Sequence, residues 1–354
     1  MAVIKEVAER AGVSVGSVSK YLHHPKTLKP DTRRRIEAAI EALDYRPSPL
    51  AQSLRTGRTG VIAVSVPDII NPFFAETYSA IHRAAGLRGL ATVLHTTDSR
   101  LETLRESLSQ RAIRQVDGAI FCFLDESEAV NEYLGRVARR IPVVLLSEDL
   151  ANTRFDAVAI DVRDGIRQAT AHLAEAGRRC IAYVGGPETS RISRDKHAGY
   201  LQGLESSGLA PDPSLRCTGP FTLPTGYQAA RSFMLAPTPP DAIVAENDLL
   251  ALGCLKYLLQ QRIAVPGQVA VSGFDDISLA AMYEPALTTV AIPVEAMAAE
   301  ALAMVARALG AAATPPQQTV LPLELRIRAS SAAPGAGLLP LSASLPARPP
   351  ATLP

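Results

Sequence analysis

The sequence predicts a small helix-turn-helix headpiece followed by an α/β body of two doubly wound lobes, and three observations carry that prediction. Residues 1–60 hold eleven Lys/Arg against six Asp/Glu, a charge of +5, while the remainder comes to −4. Within that basic head, IKEVAERAGVSVGSVSKYL places apolar residues at helical spacing on either side of a glycine. From residue 61 onward, strand-length apolar runs (VIAVSV, ATVLHT, GAIFCF, VVLLS, DAVAI, CIAYVG, DAIVAE, VAVSGF) alternate with amphipathic helical segments. Such alternation is the pattern of parallel sheets covered by helices on both faces, and two consecutive sets of units give two lobes.

At 354 residues, 47% hydrophobic and 20% charged, the chain is long enough for two or three packed units. A basic head on a mildly acidic body points to a polyanionic partner, although a solvated charged face accounts for the same charge. Cys122, Cys180, Cys217 and Cys254 lie far apart with no CxxC pair, which fits reduced thiols rather than a disulfide or zinc framework. No apolar run follows Met1 and none reaches about 18 residues, so neither export nor membrane insertion is expected and the expected compartment is the cytoplasm. GGPETS lacks the dinucleotide GxGxxG spacing, there is no Walker-type loop, and His82, His95, His172 and His197 show no metal-ligand spacing. Neither catalysis nor a cofactor or metal site is expected.

In the head, residues 1–47, Ile4, Val7, Ala8 and Ala11 share one helical face. Gly12 permits the positive φ that ends the first helix, and Ser14 suits the N-cap of the second. Ala8 lets two helices cross closely, Gly12 makes the turn and Val18 plugs between them, as a helix-turn-helix requires, though any helical hairpin shows part of this. A third helix is predicted from about residue 31 to 43, with Pro30 in its first turn and Ile36, Ile40 and Leu43 facing inward. Residues 48–59, SPLAQSLRTGRT, read as a hinge: Ser48 as N-cap and Pro49 at the first helical position encode a helix to about Arg55. So short a helix does not hold alone in water and should form only against a partner. Residues 331–354 are rich in Pro, Ala and Ser without helical period, and disorder is expected there.

VIKEVAERAGVSVGSVSKYL, PDTRRRIEAAIEALDYRPSPLAQSLRTGRT, VIAVSVPDIINPFFAE, VDGAI, GFDD and PALTTV follow one another over roughly residues 2–330. This ordered set closely resembles the lac/gal repressor (LacI/GalR) family. The resemblance implies that the second helix lies in the major groove, with Val15, Gly16 and Lys20 as base readers. Val15 offers only apolar contact, Gly16 no side chain, and Lys20 stands where the family most often has Arg. Ser14, Ser17, Ser19, Tyr21, Arg33 and Arg34 are assigned to phosphates or packing, with a merely solvated face as the alternative for the run Arg33, Arg34, Arg35. In the hinge, the resemblance makes Leu54 the wedge between minor-groove base steps, flanked by Arg55 and Arg58 at the phosphates. Ser48 and Gln52 depart from the family's usual Asn and frequent Arg.

For residues 60–330 the resemblance implies a periplasmic-binding-protein-like pair of lobes, crossed by the chain near 161, 291 and 321. A small-molecule effector, a sugar or related metabolite, would bind in the cleft between them. Strand carboxyl ends line such clefts, which singles out Phe73, Phe74 and Asp275, and by resemblance Phe221 falls where the family often puts a cleft residue, each aromatic being equally a core candidate. Asn247 is as suited to capping the next helix as to touching a ligand. In SRDKHAGY, Arg194 fits the family's S-x-R-x-R-x-x-G-F/Y pattern, but Lys196 replaces the second Arg, normally a principal effector contact. Lysine is a point donor and cannot reproduce a planar fork. Val162 stands where Asp161 is commonly followed by Asn. The prolines after residue 331 forbid a C-terminal heptad helix, so a homodimer on a pseudo-palindromic operator is expected. The whole reads as a ligand-responsive, DNA-binding transcriptional repressor; a sugar-binding transport protein would explain the body but not the head. Leu54→Ala should weaken specific DNA binding much more than nonspecific binding in gel-shift titrations, and equal losses would make the hinge a plain tether.

Overall fold

The computed structural model describes residues 2–45, 57–107, 109–124, 127–148, 154–310 and 315–332. They fall into two units, Met1–Gly60 and Val61–Pro354. The expected hinge helix, with Leu54 and Arg55, and the chain beyond residue 332 lie outside the described residues.

In the first unit, α1 (Ile4–Ala11) stops at Gly12, whose φ of +60° is the left-handed cap that glycine adopts without strain. Helix α2 (Val15–His23) begins at Ser14, whose Oγ accepts from the Ser17 N–H at 3.2 Å. After a 3₁₀ turn at Pro25–Thr27, α3 (Pro30–Ala42) closes the bundle over a buried core of Val7, Ala8, Ala11, Val18, Ile36 and Ala39. Of the three consecutive arginines, all exposed, Arg35 reaches the end of α1. Its Nη2 donates to the carbonyls of Ala11 at 2.5 Å and Gly12 at 2.8 Å, satisfying acceptors that the end of α1 leaves open. A Cβ at position 12 would lie 2.5 Å from that nitrogen, so any side chain there would displace the guanidinium.

The second unit holds two six-stranded sheets. The first is all parallel, in the order β11-β5-β4-β3-β1-β2: β1 Val61–Val66, β2 Ala91–Thr96, β3 Gly118–Cys122, β4 Val143–Ser147, β5 Asp156–Ile160 and β11 Gln318–Leu321. Helices α4 (Pro72–Gly86) and α13 (Val294–Gly310) pack on each other beside it. A separate apolar cluster lies under α5 (Leu101–Ser107), α6 (Gln110–Ile113) and α7 (Glu128–Ala138), including Leu104, Ile113, Phe121, Leu134 and Val137.

The second sheet runs β12-β10-β9-β8-β6-β7, with β6 Ile181–Gly185, β7 Arg216–Thr218, β8 Ala242–Ala245, β9 Ala270–Asp275, β10 Thr288–Ala291 and β12 Glu324–Arg326. Among the described residues of this sheet, only the β10–β12 pair is antiparallel. Helices α8 (Val162–Glu175) and α9 (Arg191–Ser206) form one packed pair, α10 (Leu223–Met234) and α11 (Asp248–Gln260) another, and a short α12 (Ser278–Met282) follows β9. On β9, Phe274 meets α8 at Gly165 while Gly273 meets α11 at Asp248 and Ala251, so the two pairs cover opposite faces.

The chain crosses between the lobes after β5, between β10 and α13, and between β11 and β12. Packing continues past residue 330, where disorder was expected to begin. Ser331 is buried, and its Oγ lies 2.7 Å from both His172 Nε2 and Thr288 Oγ1, so hydrogen bonds extend the fold by at least that residue. No helix among the described residues is long and apolar enough to cross a membrane. Replacing Arg35 with Ala should destabilise the headpiece by about 1–3 kcal/mol, seen as faster hydrogen exchange in α1, whereas Arg34→Ala should leave exchange unchanged.

Candidate functional site

A cavity of about 460 Å³ lies where the carboxyl ends of the two sheets meet. One wall is aromatic. Asn71 caps α4 by accepting from the Phe73 N–H at 3.1 Å, which sets Phe73 and Phe74 at the cavity. Phe123 joins them just after β3, with ring centroids 5.0 Å from Phe73 and 6.2 Å from Phe74. From the other lobe, Phe221 reaches in over Gly186, where a Cβ would sit 2.1 Å from its ring.

Opposite the aromatics lies a buried charge network. Lys196, on α9, is 4% exposed; its Nζ donates to the Glu246 carbonyl at 3.2 Å and stands 4.1 Å over the Phe274 ring. The same nitrogen lies 3.7 Å from Oε1 of Glu148, which follows β4 in the first lobe, so this ion pair spans the cleft. Burial by itself would lower the Lys196 pKa, but Glu148, Asp275 and Glu246 override it and hold the ammonium above the usual lysine value. Burial raises Glu148 in turn, opposed by Lys196. Glu246 accepts from the Gly186 N–H at 2.5 Å and the Tyr183 hydroxyl at 3.2 Å, both on Oε2.

Asp275 closes the ring of polar groups. It ends β9 at φ +115°, followed by Asp276 at φ +57°, a backbone that non-glycine residues hold only when surroundings force it. The force is visible: Asp276 receives Arg328 Nη2 at 2.6 Å and Arg326 Nη1 at 2.5 Å, both from the segment after the third crossing. Burial holds the Asp275 carboxyl well above the ordinary carboxylate range.

Of the cleft residues expected from the sequence, Phe73, Phe74, Lys196, Phe221, Asn247 and Asp275 all border this cavity. Asn247 also caps α11, accepting from the Leu250 N–H at 2.9 Å, so its two readings coexist. Arg194 is not among the lining residues; its Nη1 donates to the carbonyls of Glu188 at 3.1 Å and Thr189 at 2.9 Å. Arg191 borders the cavity instead, 3.7 Å from Asp195. Phe123 and Glu148 were not anticipated, although each directly follows a strand. Asp161 caps α8, accepting from the Asp164 N–H at 3.0 Å, and Val162 gives the cavity an apolar edge.

In the headpiece, Val15 is 43% exposed, and Gly16 and Lys20 are exposed beside it on α2. Ser14 is occupied as a cap, with its Oγ also 3.0 Å from Ser17 Oγ. The Tyr21 hydroxyl donates to Glu37 Oε1 at 3.1 Å, and Arg33 Nε lies 3.6 Å from the same oxygen, tying α2 to α3. Arg34 is exposed.

Asp248, beside Asn247, is fully buried and accepts from the Ile277 N–H at 2.9 Å and Thr289 Oγ1 at 2.6 Å; burial pushes its pKa up to about 8. An unfolded aspartate titrates near 4, so the folded state binds the extra proton between these values and stability falls as pH rises through that window. Denaturant midpoints should decline from about pH 5 to 8, and Asp248→Asn should flatten the decline.

Residues 3–48 match the family described as "Bacterial regulatory proteins, lacI family", and residues 170–331 match "Periplasmic binding protein-like domain". Over 329 residues the chain is 32% identical to the HTH-type transcriptional regulator DegA of Bacillus subtilis (strain 168), covering 93% of this chain and 97% of DegA. The solved transcriptional regulator CelR-cellobiose complex is 30% identical with a TM-score of 0.67, covering 93% of this chain and 100% of that one. The Lac repressor dimer bound to operator and the anti-inducer ONPF has a TM-score of 0.82 at 24% identity, over 94% of this chain and 99% of that one, a likeness of fold. With a helix-turn-helix unit, a two-lobed cleft and regulators as relatives along nearly its whole length, the chain belongs to the LacI family of DNA-binding transcriptional repressors, which are not enzymes.

Proposed function

We propose that this repressor is a cytoplasmic homodimer that reads a pseudo-palindromic operator and is controlled by an uncharged polyhydroxy molecule, a sugar or close relative, in the inter-lobe cavity. The observation that carries the effector class is an aromatic wall facing acceptors around a lysine whose charge is already matched. Phe73, Phe74, Phe123 and Phe221 suit the apolar faces of a sugar ring, while Asp275, Glu148 and Asn247 suit its hydroxyls. An anionic ligand would meet Glu148 and Asp195, would find Arg191 already beside Asp195, and would have to draw Lys196 from partners it already holds. The cellobiose in the CelR complex supports the same class.

On the DNA side, Val15 offers a thymine-methyl contact and Lys20 a donor for guanine, with Ser14, Ser17, Arg33 and Arg34 near phosphates. Leu54 completes the contact as a minor-groove wedge, with Arg55 at the flanking phosphates. Dimerisation is supported by apolar side chains left in water on the body, with Leu279 50%, Met282 65% and Leu87 89% exposed. The effector shifts operator affinity only by as much as it prefers one lobe arrangement over another. In thermal-shift screens, a neutral sugar should raise the melting temperature while its phosphate ester does not, and Asp275→Ala should cost at least about tenfold in affinity. A hit that stabilises Asp275→Ala as much as the parent, or a phosphate ester that binds better, would remove this assignment.

A further inference from the structure

A second concavity, of about 600 Å³, lies among α5, α6 and α7, away from the effector cavity. Arg105, Arg136, Arg139 and Arg140 surround Tyr133 in it. All four arginines are exposed, and none forms an ion pair among the described residues. Burial raises the Tyr133 pKa, and Arg105 and Arg136 are near enough to oppose it.

Charge is segregated along α7. On α7, Glu128 and Glu132 lie in the first half and Arg136, Arg139 and Arg140 at or just past the far end, whereas on α5 Arg105 stands between Glu102 and Glu106. Basic residues at a helix C-terminus suit its dipole, but the dipole does not require four of them around one depression without a counter-charge. Arg139 and Arg140 lead through Ile141 and Pro142 directly into β4, and α6 leads into β3. Strands β1, β3 and β4 start level, with Ile62 opposite Gly118 and Ala119 opposite Val143. The arginines therefore rim the edge of the first sheet where Val61 begins, the edge at which the chain arrives from the DNA-binding unit.

We infer that this rim holds the phosphate backbone of duplex DNA beside the sequence that the headpiece reads. A site for a small anion needs buried donors, and these are exposed. Exposed guanidinium forks spread along an open depression suit a linear polyanion instead, and their geometry matches phosphate oxygens. The body would then add sequence-independent affinity and lengthen the protected stretch of DNA.

The full chain should be titrated across salt concentrations on two duplexes, one confined to the headpiece footprint and one extended to about 60 bp. The double variant Arg139→Gln/Arg140→Gln should lower the slope of log K against log salt by about 2 on the long duplex and leave it unchanged on the short one. Arg139→Lys/Arg140→Lys should keep the parental slope, and both variants should unfold at the parental temperature. Equal slopes for parent and Gln variant on the long duplex overturn this inference alone. A parent that binds neither duplex overturns it together with the DNA-reading role of the head. Protection of the parent but not the Gln variant by inorganic phosphate or polyglutamate, with unchanged DNA slopes, would assign the rim to another anion and overturn it as well.

Discussion

The body is organised around one buried ammonium. Taking Lys196 out of water is costly unless its charge is met, and the partners that meet it come from different places: Glu148 from the first lobe, the Glu246 carbonyl and the Phe274 ring from the second. Because one counter-charge belongs to the opposite lobe, separating the lobes would strand both members of the pair. Closeness of the lobes is thereby linked to charge balance at the cavity floor. A ligand that bonds Lys196 or Glu148 must substitute for the partner it displaces, which gives it leverage over the lobe arrangement. An arginine at position 196 would deliver a planar fork; a lysine delivers one centre of charge and leaves more of the recognition to the aromatic wall and to Asp275.

Asp275 shows how far support for such a site can reach. Its own backbone is unfavourable, and the neighbouring Asp276 is held by two arginines from the last crossing segment. Strand β12 is short, yet it carries Arg326 and leads to Arg328, so the crossing that ties the lobes also fixes the carboxylate facing the cavity. In the headpiece, the Tyr21, Glu37 and Arg33 cluster sets α2 on α3 in the same manner. The exposed side of α2 is chemically plain, so discrimination through it would lean on shape and backbone as much as on base edges.

The fold was legible where local chemistry repeats. Ala8, Gly12 and Val18 mark the helix-turn-helix, and the eight long apolar runs all became strands. Strands β7, β10, β11 and β12, three or four residues each, were missed because so few residues carry no period. At the cavity, strand ends, one motif and, for Phe221, the family resemblance led to six of its lining residues, and the strand-end rule, applied evenly, would have added Phe123 and Glu148. Arg194 was misdirected for a reason readable in advance. On α9, Lys196, Gly199, Tyr200 and Gly203 are buried, and a residue two positions before Lys196 points to the other side of the helix. Arg35 was not readable, since nothing in a run of three arginines says which one lies beside the end of α1.

The first crossing leaves β5 and enters α8, whose Gly165 lies against Val290 of β10 and Leu323 of the third crossing. The second leaves β10 and the third joins β11 to β12, with β2 and β7 at the far margins of the two sheets. Two plates bound along one spine form a lever. Neighbouring strands lie about 4.8 Å apart, so Glu148, at the end of β4, sits about 5 Å from β5, and β2, four spacings away, about 19 Å. A rotation that moves the β4 position by about half an ångström therefore carries β2 by about 2 Å, a mechanical gain of roughly four set only by strand order.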